Sequence, residues 1–378
     1  MPPKDNNTMM GHNQFDIPKE MGAWVLNDPD HIEIKKKPVP EPKDDEVLLK
    51  IDAVAICATD LEIISHGKPA QIEGQAPFNK NYSPGHEAMG RVVKLGAAVD
   101  DFKIGQRVAV EIHAGCSRCE MCVKGWYTSC LNYGFASKGH KANGFTTDGA
   151  FAEYMTNRTR TLVKVPDDMS DEEATLAVTA GTSMYTLDVM GGLFAGQTVV
   201  VMGPGPIGLC AVGVANALGA EVILTGTRDN RLEIGKKLGA SHVINVKNDD
   251  AVKVVKELTE GIGAHYVLDC SGAPNAVNDA SSMIRRGGKI GLAAFPSKPV
   301  EVDIANLVRN NAYIYATRGE GKSACQRAMG LMAKKRFDAK LIHTHTFAMK
   351  DLQTGLKYTR ERIADAIKVV VRNDDRLI

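Results

Sequence analysis

The chain has 378 residues, which is more than one hydrophobic core usually organises, so two domains are expected. Its 46 lysines and arginines nearly balance 45 aspartates and glutamates, which gives no electrostatic reason to expect a nucleic acid or an anionic membrane as a partner. An apolar content of 44% with 24% charged residues is typical of a soluble globular chain and argues against global disorder.

Two segments bear on targeting and membrane insertion. Residues 1–20 are polar and lack the apolar region of a secretory signal, so they predict a flexible tail and a cytoplasmic protein. Residues 198–220 carry no charge and are long enough to span a bilayer. Five glycines and two prolines in that run favour a strand, a tight turn and a helix over a membrane helix.

The periodicity of the chain changes near its middle. From residue 22 to about 165, short β-branched runs alternate with Gly, Pro and Asp turns, and no sustained helical period occurs before Asp171. From about residue 198, strand and helix patterns alternate, which predicts a parallel sheet covered on both faces. The predicted strands are 198–202, 221–225, 242–246, 266–270, 288–294 and 312–317, and the clearest predicted helices are 229–238 and 274–285. Residues after about 319 return to a mixed pattern and are expected to pack on the first domain.

A glycine-rich turn follows the first of these strands. Gly203 allows a tight turn, Gly205 lets a pyrophosphate approach the backbone, and Gly208 lets the next helix pack closely on the sheet. Pro206 and Ile207 open that helix, whose N-terminus favours anions. The sequence predicts a dinucleotide site here, and a glycine-rich turn without a ligand is the alternative.

The end of the next strand bears on which dinucleotide binds. An NAD site usually has an acidic residue there, whereas this chain has Gly226, followed by Thr227 and Arg228. Because the guanidinium of Arg228, with that of Arg231, could pair with a 2′-phosphate, NADP is favoured over NAD. Asp229 could instead neutralise Arg228 or contact the ribose, and both arginines could be solvated residues of the next helix.

Eight cysteines in a cytosolic chain are more typical of metal ligands or core residues than of disulfides. Four of them form a cluster whose thiolates could close a tetrahedral shell around a structural zinc ion: Cys116, Cys119, Cys122 and Cys130. An iron–sulfur cluster and unliganded thiols are the alternatives. Three isolated cysteines in apolar contexts are expected to be buried core residues: Cys210, Cys270 and Cys325.

A mixed set of potential ligands lies earlier in the chain. Cys57, His86 and Glu87 offer a thiolate, an imidazole and a carboxylate, a combination that suits a catalytic zinc ion with one open position. Taken singly, each is ambiguous, since a lone cysteine is usually in the core and a His-Glu pair is usually at the surface. The hydroxyl of Thr59 could reach an oxygen bound at such a site.

Together these features resemble the zinc-containing medium-chain alcohol and polyol dehydrogenases over nearly the whole chain after residue 20. The motifs that carry the resemblance are residues 57–60 (CATD), 85–87 (GHE), the four-cysteine lobe, 148–154 (DGAFAEY) and 203–208 (GPGPIG). The resemblance implies an α/β protein with a GroES-like, β-barrel-like catalytic domain and a doubly wound Rossmann coenzyme domain. It also implies that Cys57 and His86 bind zinc, that Glu87 is a third or exchangeable ligand, and that Thr59 begins a proton relay.

The implied domain division is a tail at 1–20, a catalytic domain at 21–183 with the lobe at 113–134, a coenzyme domain at 184–318, and a segment at 319–378 that completes the catalytic domain. Two zinc ions per chain, one catalytic and one structural, and a homodimer or homotetramer are implied as well.

Some positions depart from the family pattern or refine it. Thr179 lies where many relatives have a further ligand, and Glu62 lies near the usual relay histidine, so the proton could leave through Glu62, His66 or water. His66 followed by glycine resembles the polyol branch, and Asp60 is expected to brace the Cys57 loop. The long stretch 133–148, which contains His140, could be a substrate or interface loop or a solvated loop without function.

The predicted function is a zinc-dependent, NAD(P)-linked alcohol dehydrogenase that oxidises a secondary hydroxyl of a polyol, sugar or cyclitol. One alternative is NAD-linked oxidation of an amino alcohol, as in threonine dehydrogenases. The other is a non-catalytic or zinc-independent member similar to the quinone reductases.

Overall fold

A computed structural model describes residues 15–67 and 81–378, so the predicted N-terminal tail lies outside it up to residue 14. The strands of the described part are β1 (Glu20–Asp28), β2 (His31–Pro38), β3 (Glu46–Ile56), β4 (Glu87–Leu95), β5 (Arg107–Val110), β6 (Tyr154–Arg158), β7 (Leu162–Lys164), β8 (Thr198–Met202), β9 (Glu221–Gly226), β10 (His242–Asn245), β11 (Ala264–Asp269), β12 (Ile284–Leu292), β13 (Tyr313–Ala316), β14 (His343–Ala348) and β15 (Lys368–Arg372). The α-helices are α1 (Ala58–His66), α2 (Glu120–Val123), α3 (Asp171–Thr175), α4 (Ala177–Val189), α5 (Pro206–Ala217), α6 (Asp229–Lys237), α7 (Ala251–Leu258), α8 (Ala276–Met283), α9 (Ile304–Arg309), α10 (Ala324–Ala333) and α11 (Leu352–Glu361).

The β-rich part of the chain forms a seven-stranded sheet with the order β14-β15-β3-β4-β5-β7, in which β6 also pairs with β3. The inward side chains of these strands form one apolar core that includes Val47, Ile51 and Val92. Strand β15 runs antiparallel to β3, with Val369 opposite Ile56. The C-terminal strand therefore joins the sheet formed by the first part of the chain.

The alternating part of the chain forms a six-stranded parallel sheet with the order β10-β9-β8-β11-β12-β13. The predicted parallel sheet and the predicted α/β class are confirmed, and the strand bounds agree to within a few residues. The strand order reverses between β8 and β11, and such a reversal opens a ligand crevice at the carboxyl ends of the strands. The uncharged run at 198–220 forms β8, a turn and α5, and no helix of the described residues is long and apolar enough to cross a membrane.

Helix α1 was missed by the sequence analysis, which found no helical period before Asp171. The helix has only nine residues, too few for a periodic apolar pattern to stand out. Its ends are fixed by Asp60, whose carboxylate accepts a hydrogen bond from the Cys57 N–H, and by Gly67, which has a φ of 84°. As a result Cys57 is held at the junction between β3 and α1.

Candidate active site and structural metal centre

The candidate zinc ligands Cys57, His86 and Glu87 come together where β3 and β4 pair. Cys57 follows the end of β3, and His86 and Glu87 stand at the start of β4, with Ala55 opposite Glu87 in the antiparallel ladder. One ligand atom of each of Cys57, His86 and Glu87 lies within 4.8 Å of the others. His86 and Glu87 are buried and Cys57 is partly exposed, so the group is accessible at Cys57. Its donor set and spacing fit a zinc ion with a free position.

Asp60 fixes the geometry of this group. It is fully buried, and its two carboxylate oxygens accept hydrogen bonds at 2.9 Å from the Cys57 N–H and from Nδ1 of His86. Burial opposes the positive charge of His86, but the carboxylate of Asp60 raises the pKa of His86 well above its usual value. With Nδ1 engaged, Nε2 is the nitrogen left for a metal. The prediction that Asp60 braces the Cys57 loop is confirmed.

Glu87 is held by two groups that the sequence did not connect to it. Its Oε2 accepts a hydrogen bond from Thr179 Oγ1 at 3.3 Å and forms an ion pair with Lys368 Nζ. Burial opposes the charge of Lys368, but the nearby carboxylate of Glu87 raises the pKa of that ammonium. Both of these contacts use Oε2 and not Oε1. Thr179 therefore contacts a ligand of the site, and among the described residues no further Cys, His, Asp or Glu joins the group.

Lys368 is the functional residue that sequence reasoning missed. It lies on β15 with only 2% of its side chain exposed. The available signal was a single lysine within the apolar β-branched run at 366–371, where a charge must be buried with a partner.

An aromatic side chain packs against His86. The ring of Phe145 meets that of His86 edge to face, with centroids 4.9 Å apart. Phe145 in turn packs on a small buried cluster formed by Ile112, Ala142 and Val178. The stretch 133–148 thus brings an aromatic side chain to the candidate metal site. His140 in that stretch is buried, and burial lowers its pKa to about 4.

The candidate proton-relay residues lie along α1. Thr59 Oγ1 is 3.7 Å from Cys57 Sγ, which places its hydroxyl at the rim of the candidate metal site. Glu62 and His66 are strongly exposed and pair with one another, with Oε2 and Nδ1 3.3 Å apart. The relay role of Thr59 remains a prediction.

The side chains of the four clustered cysteines lie close together. Their sulfur atoms lie within 4.8 Å of one another, with Cys116 and Cys122 separated by 4.0 Å and Cys119 and Cys130 by 3.9 Å. Four sulfurs at about 2.3 Å from one zinc ion would be separated by about 3.8 Å, so the group fits a tetrahedral structural site. Burial opposes ionisation of Cys116, but hydrogen bonds from Asn132 and from backbone N–H groups lower its pKa to about 6.

The glycine-rich turn has the backbone that a dinucleotide site needs. Gly203 has a φ of 99°, a conformation that side chains disfavour, and a Cβ at Gly208 would collide with the carbonyl of Gly203. Around Gly205 no atom of the described residues would lie within 4 Å of an added Cβ, so the space beside it is open for a ligand. Pro206 is the first residue of α5, and Ile207 follows it.

The structure gives a steric reason for the missing acidic residue at the end of β9. A Cβ at Gly226 would collide with the ring of Pro204 in the glycine-rich turn, so an aspartate cannot occupy this position without displacing the turn.

The two candidate arginines have different environments. Arg228 immediately precedes α6, is about one-third exposed, and has its nearest carboxylate, that of Asp365, at 4.0 Å. Arg231 is buried and donates a hydrogen bond of 2.6 Å to the carbonyl of Ala366, which ties α6 to the C-terminal segment. Asp229 accepts a hydrogen bond from Asn245, so Arg228 keeps a guanidinium that could reach a ligand. Thr227 is exposed beside it.

Comparison with known proteins agrees with these sites. Residues 43–167 match the model described as the alcohol dehydrogenase GroES-like domain, and residues 206–334 match the one described as zinc-binding dehydrogenase. A sorbitol dehydrogenase of Bacillus subtilis is 32% identical over 94% of this chain and 98% of its own length. An L-threonine 3-dehydrogenase of Pyrococcus horikoshii is 36% identical over 73% of this chain and 76% of its own. The chain belongs to the zinc-containing medium-chain dehydrogenase family.

Solved structures support the same conclusion. An oxidoreductase/dehydrogenase of unknown specificity from Escherichia coli has a TM-score of 0.86 and 27% identity, covering 94% of this chain and 100% of its own. The fold predicted from the resemblance, a GroES-like domain with a Rossmann-type coenzyme domain, is confirmed. The chain is thus an NAD(P)-dependent dehydrogenase of the zinc type, and the predicted need for zinc and a nicotinamide coenzyme agrees with its family.

A second cluster of buried ionisable groups lies where Glu320 contacts His113 of the cysteine lobe. Glu320 accepts hydrogen bonds from the N–H and Nδ1 of His113, and Glu111 accepts one from the hydroxyl of Tyr127. Burial opposes the charge of Glu320, but His113 lowers its pKa, so this carboxylate is ionised at neutral pH. Burial, and then the nearby charge of Glu320, raises the pKa of Glu111 to about 8. Glu111 therefore retains its proton at neutral pH.

The raised pKa of Glu111 predicts that the stability of the fold depends on pH. The unfolded chain loses this proton near pH 4.5 while the folded chain keeps it up to about pH 8, so this group favours folding fully below pH 4.5 and progressively less as the pH rises. The contribution of Glu111 to the free energy of unfolding falls by about 1.4 kcal/mol per pH unit between pH 4.5 and about pH 8. Glu111→Gln mimics the protonated form, so its free energy of unfolding relative to the wild type should rise between pH 5 and pH 8. Urea unfolding at several pH values measures this difference, and a difference that stays constant with pH would contradict the assignment.

Proposed function

We propose that this dehydrogenase reversibly oxidises a secondary hydroxyl of a polyol, sugar or cyclitol, with one zinc ion held by Cys57, His86 and Glu87 and a second held by the cysteine lobe. The observation that carries the proposal is the gathering of a thiolate, an imidazole and a carboxylate within 4.8 Å of one another, with the imidazole braced by Asp60. The sorbitol dehydrogenase of Bacillus subtilis, similar over almost the whole chain, supports the substrate class.

Each residue of the site has a role in this proposal. When bound, zinc supplies a Lewis acid that makes a hydroxyl more acidic. Asp60 keeps the His86 ring oriented, and Lys368 balances the charge of Glu87. Thr59, at the rim, accepts the substrate proton and passes it outward, while Phe145 shields His86 from water.

The coenzyme in this proposal is NADP in preference to NAD, because the end of β9 has no room for an acidic side chain and Arg228 is free to meet a 2′-phosphate. Arg228→Ala is expected to weaken NADPH binding about tenfold or more and NADH binding by less than about twofold, since a charge-assisted contact to a phosphate is worth about 1.5–3 kcal/mol. Fluorescence titration of both reduced coenzymes measures this. Lys237→Ala removes an exposed positive charge from the same helix and is the matched control. If Arg228→Ala lost affinity for NADPH and NADH equally, the proposed preference for NADP would be contradicted.

A second candidate function is oxidation of an amino alcohol with NAD, which is supported by the 36% identity to L-threonine 3-dehydrogenases. The two candidates are separated by a panel of polyols, sugars, cyclitols and amino alcohols tested with NAD⁺ and NADP⁺, following absorbance of the reduced nicotinamide. The first candidate predicts turnover of polyhydroxy compounds without an amino group. Turnover confined to 2-amino-3-hydroxy acids would replace it by the second.

We also propose a homodimer or homotetramer. Strand β13 is the last strand of the parallel sheet, and Tyr313 and Ile314 on it are about half exposed. Ile304 and Val308 of the neighbouring α9 are exposed apolar residues as well. An unpaired apolar edge of this kind is typically covered by another strand. A purely monomeric protein in sedimentation equilibrium would contradict this proposal.

A further inference from the structure

The segment at residues 317–322, here called the joint segment, is where the chain leaves β13 and returns towards the catalytic domain. Its first residue, Thr317, is tied to the coenzyme side: its N–H donates to the carbonyl of Leu292 at 3.0 Å, and its hydroxyl lies 2.9 Å from that of Thr186. Leu292 is the last residue of β12, so the joint segment begins at the carboxyl edge of the parallel sheet. In sheets of this kind that edge lines the ligand crevice.

The rest of the joint segment is attached to the cysteine lobe. Glu320 Oε1 accepts hydrogen bonds from the N–H of His113 at 3.1 Å and from its Nδ1 at 2.9 Å, and the Glu320 carbonyl accepts one from the Thr128 hydroxyl. The N–H of Lys322 donates to the carbonyl of Gly125 at 3.0 Å. The packing is close, because a Cβ at Gly319 would lie 2.9 Å from the Thr128 methyl group.

The attachment points on the lobe depend on the cysteine cluster. Gly125 and Thr128 lie between Cys122 and Cys130 in the chain, so the positions of those two sulfurs fix the backbone that holds the joint segment. Glu320 is fully buried and ionised, and a buried carboxylate that loses its hydrogen-bond donors is strongly disfavoured. Among the contacts between the joint segment and the lobe, the carboxylate of Glu320 is therefore the buried charge that depends on lobe donors.

We propose that Glu320 is a positioning residue that couples the metal of the cysteine lobe to the coenzyme crevice, so that each ligand stabilises the site of the other. This inference rests on the proposed function for its two ligands, the lobe zinc and the nicotinamide coenzyme. Coupling between two binding sites is reciprocal: if lobe zinc strengthens coenzyme binding by some factor, the coenzyme strengthens zinc binding by the same factor. Factors of about 5 to 150 are usual for coupled sites, and about tenfold is expected here.

The test measures metal release and coenzyme binding in the full chain. Zinc is removed with an excess of a chromogenic chelator, with and without saturating NADPH and, in parallel, NADH. The slow phase of zinc release is assigned to the lobe zinc, because this phase should persist in Cys57→Ser. In the wild type the coenzyme is expected to slow this phase about tenfold. In Glu320→Gln, bound coenzyme should slow zinc release by less than about twofold, and the Kd of the coenzyme should rise about tenfold. The zinc content of this variant before chelator is added should equal that of the wild type.

Two further variants keep the test decisive. Glu111→Gln alters a buried carboxylate whose hydrogen-bond donor, Tyr127, belongs to the lobe, and it should keep full protection. Thr128→Val removes only the hydroxyl contact to the Glu320 carbonyl and should show a partial loss even if Glu320→Gln does not fold.

The proposal would be overturned if coenzyme protected the lobe zinc in Glu320→Gln as fully as in the wild type. If Glu320→Gln does not fold, full protection in Thr128→Val would overturn it instead. Lobe zinc release from the wild type at the same rate with and without coenzyme would also overturn it. An absence of turnover with every alcohol would refute the proposed function alone, because the coupling is read without turnover. A chain that binds neither coenzyme would overturn both.

Discussion

Replacing Cys57 by serine is expected to reduce turnover by about a thousandfold or more. Cys57 is one of only three potential ligands that meet at the candidate catalytic site in the described part of the chain, and a serine hydroxyl is a poor ligand for zinc. A metal that stabilises developing charge contributes several kcal/mol to catalysis, and each 1.36 kcal/mol changes the rate tenfold. The zinc content should fall from about two ions per chain to about one. Metal analysis and initial rates measure both effects.

The loss of turnover in Cys57→Ser is specific to the candidate catalytic site only if the lobe zinc site and the coenzyme site remain intact. The cysteine lobe and the glycine-rich turn share no residue with the Cys57 site, so the variant should keep the lobe zinc and bind coenzyme like the wild type. Cys210→Ser is the matched control, because Cys210 is a buried core residue of α5 outside both metal groups. Wild-type turnover by Cys57→Ser would refute the catalytic assignment, and loss of both zinc ions would indicate general unfolding.

The parts of the site that the sequence predicted are those encoded locally. The four cysteines lie within one short stretch, and Gly203 to Gly208 form a single turn, so spacing alone specifies what they can bind. Cys57 and His86 are further apart, and the sequence indicated them by their ligand types and then by motifs that resemble a known family. Asp60 was assigned correctly as a brace since it lies only one turn from Cys57.

The parts that could not be predicted depend on strand pairing and domain contacts. Lys368 reaches Glu87 only because β15 adds to β3, and no local pattern specifies that register. The pairing of Glu320 with His113 likewise joins residues about two hundred positions apart in the chain. The absence of an acid at Gly226 was noticed in the sequence, but its steric cause, the ring of Pro204, is visible only when the turn and the strand are brought together.

Replacing Lys368 by methionine is expected to destabilise the fold by about 3–5 kcal/mol, because it leaves the buried carboxylate of Glu87 without its countercharge. Methionine has a similar length and no charge, so the effect reports the ion pair more than lost packing. Turnover should also fall, since Glu87 then lacks one of the two groups that hold its carboxylate in place. The free energy of unfolding from urea titration and the initial rate measure the two effects.

A double-mutant cycle separates the ion pair from the local packing. If the loss in Lys368→Met arises from the unpaired charge of Glu87, then adding Glu87→Gln should recover much of it, because both partners are then neutral. Lys340→Met is the matched control: Lys340 lies 3.9 Å from the buried Glu173, but its own side chain is about half exposed, so its loss should cost less than about 1 kcal/mol. Strictly additive effects of Lys368→Met and Glu87→Gln would show that the two residues do not act as a pair. In that case the orientation of Glu87 would depend on Thr179 alone.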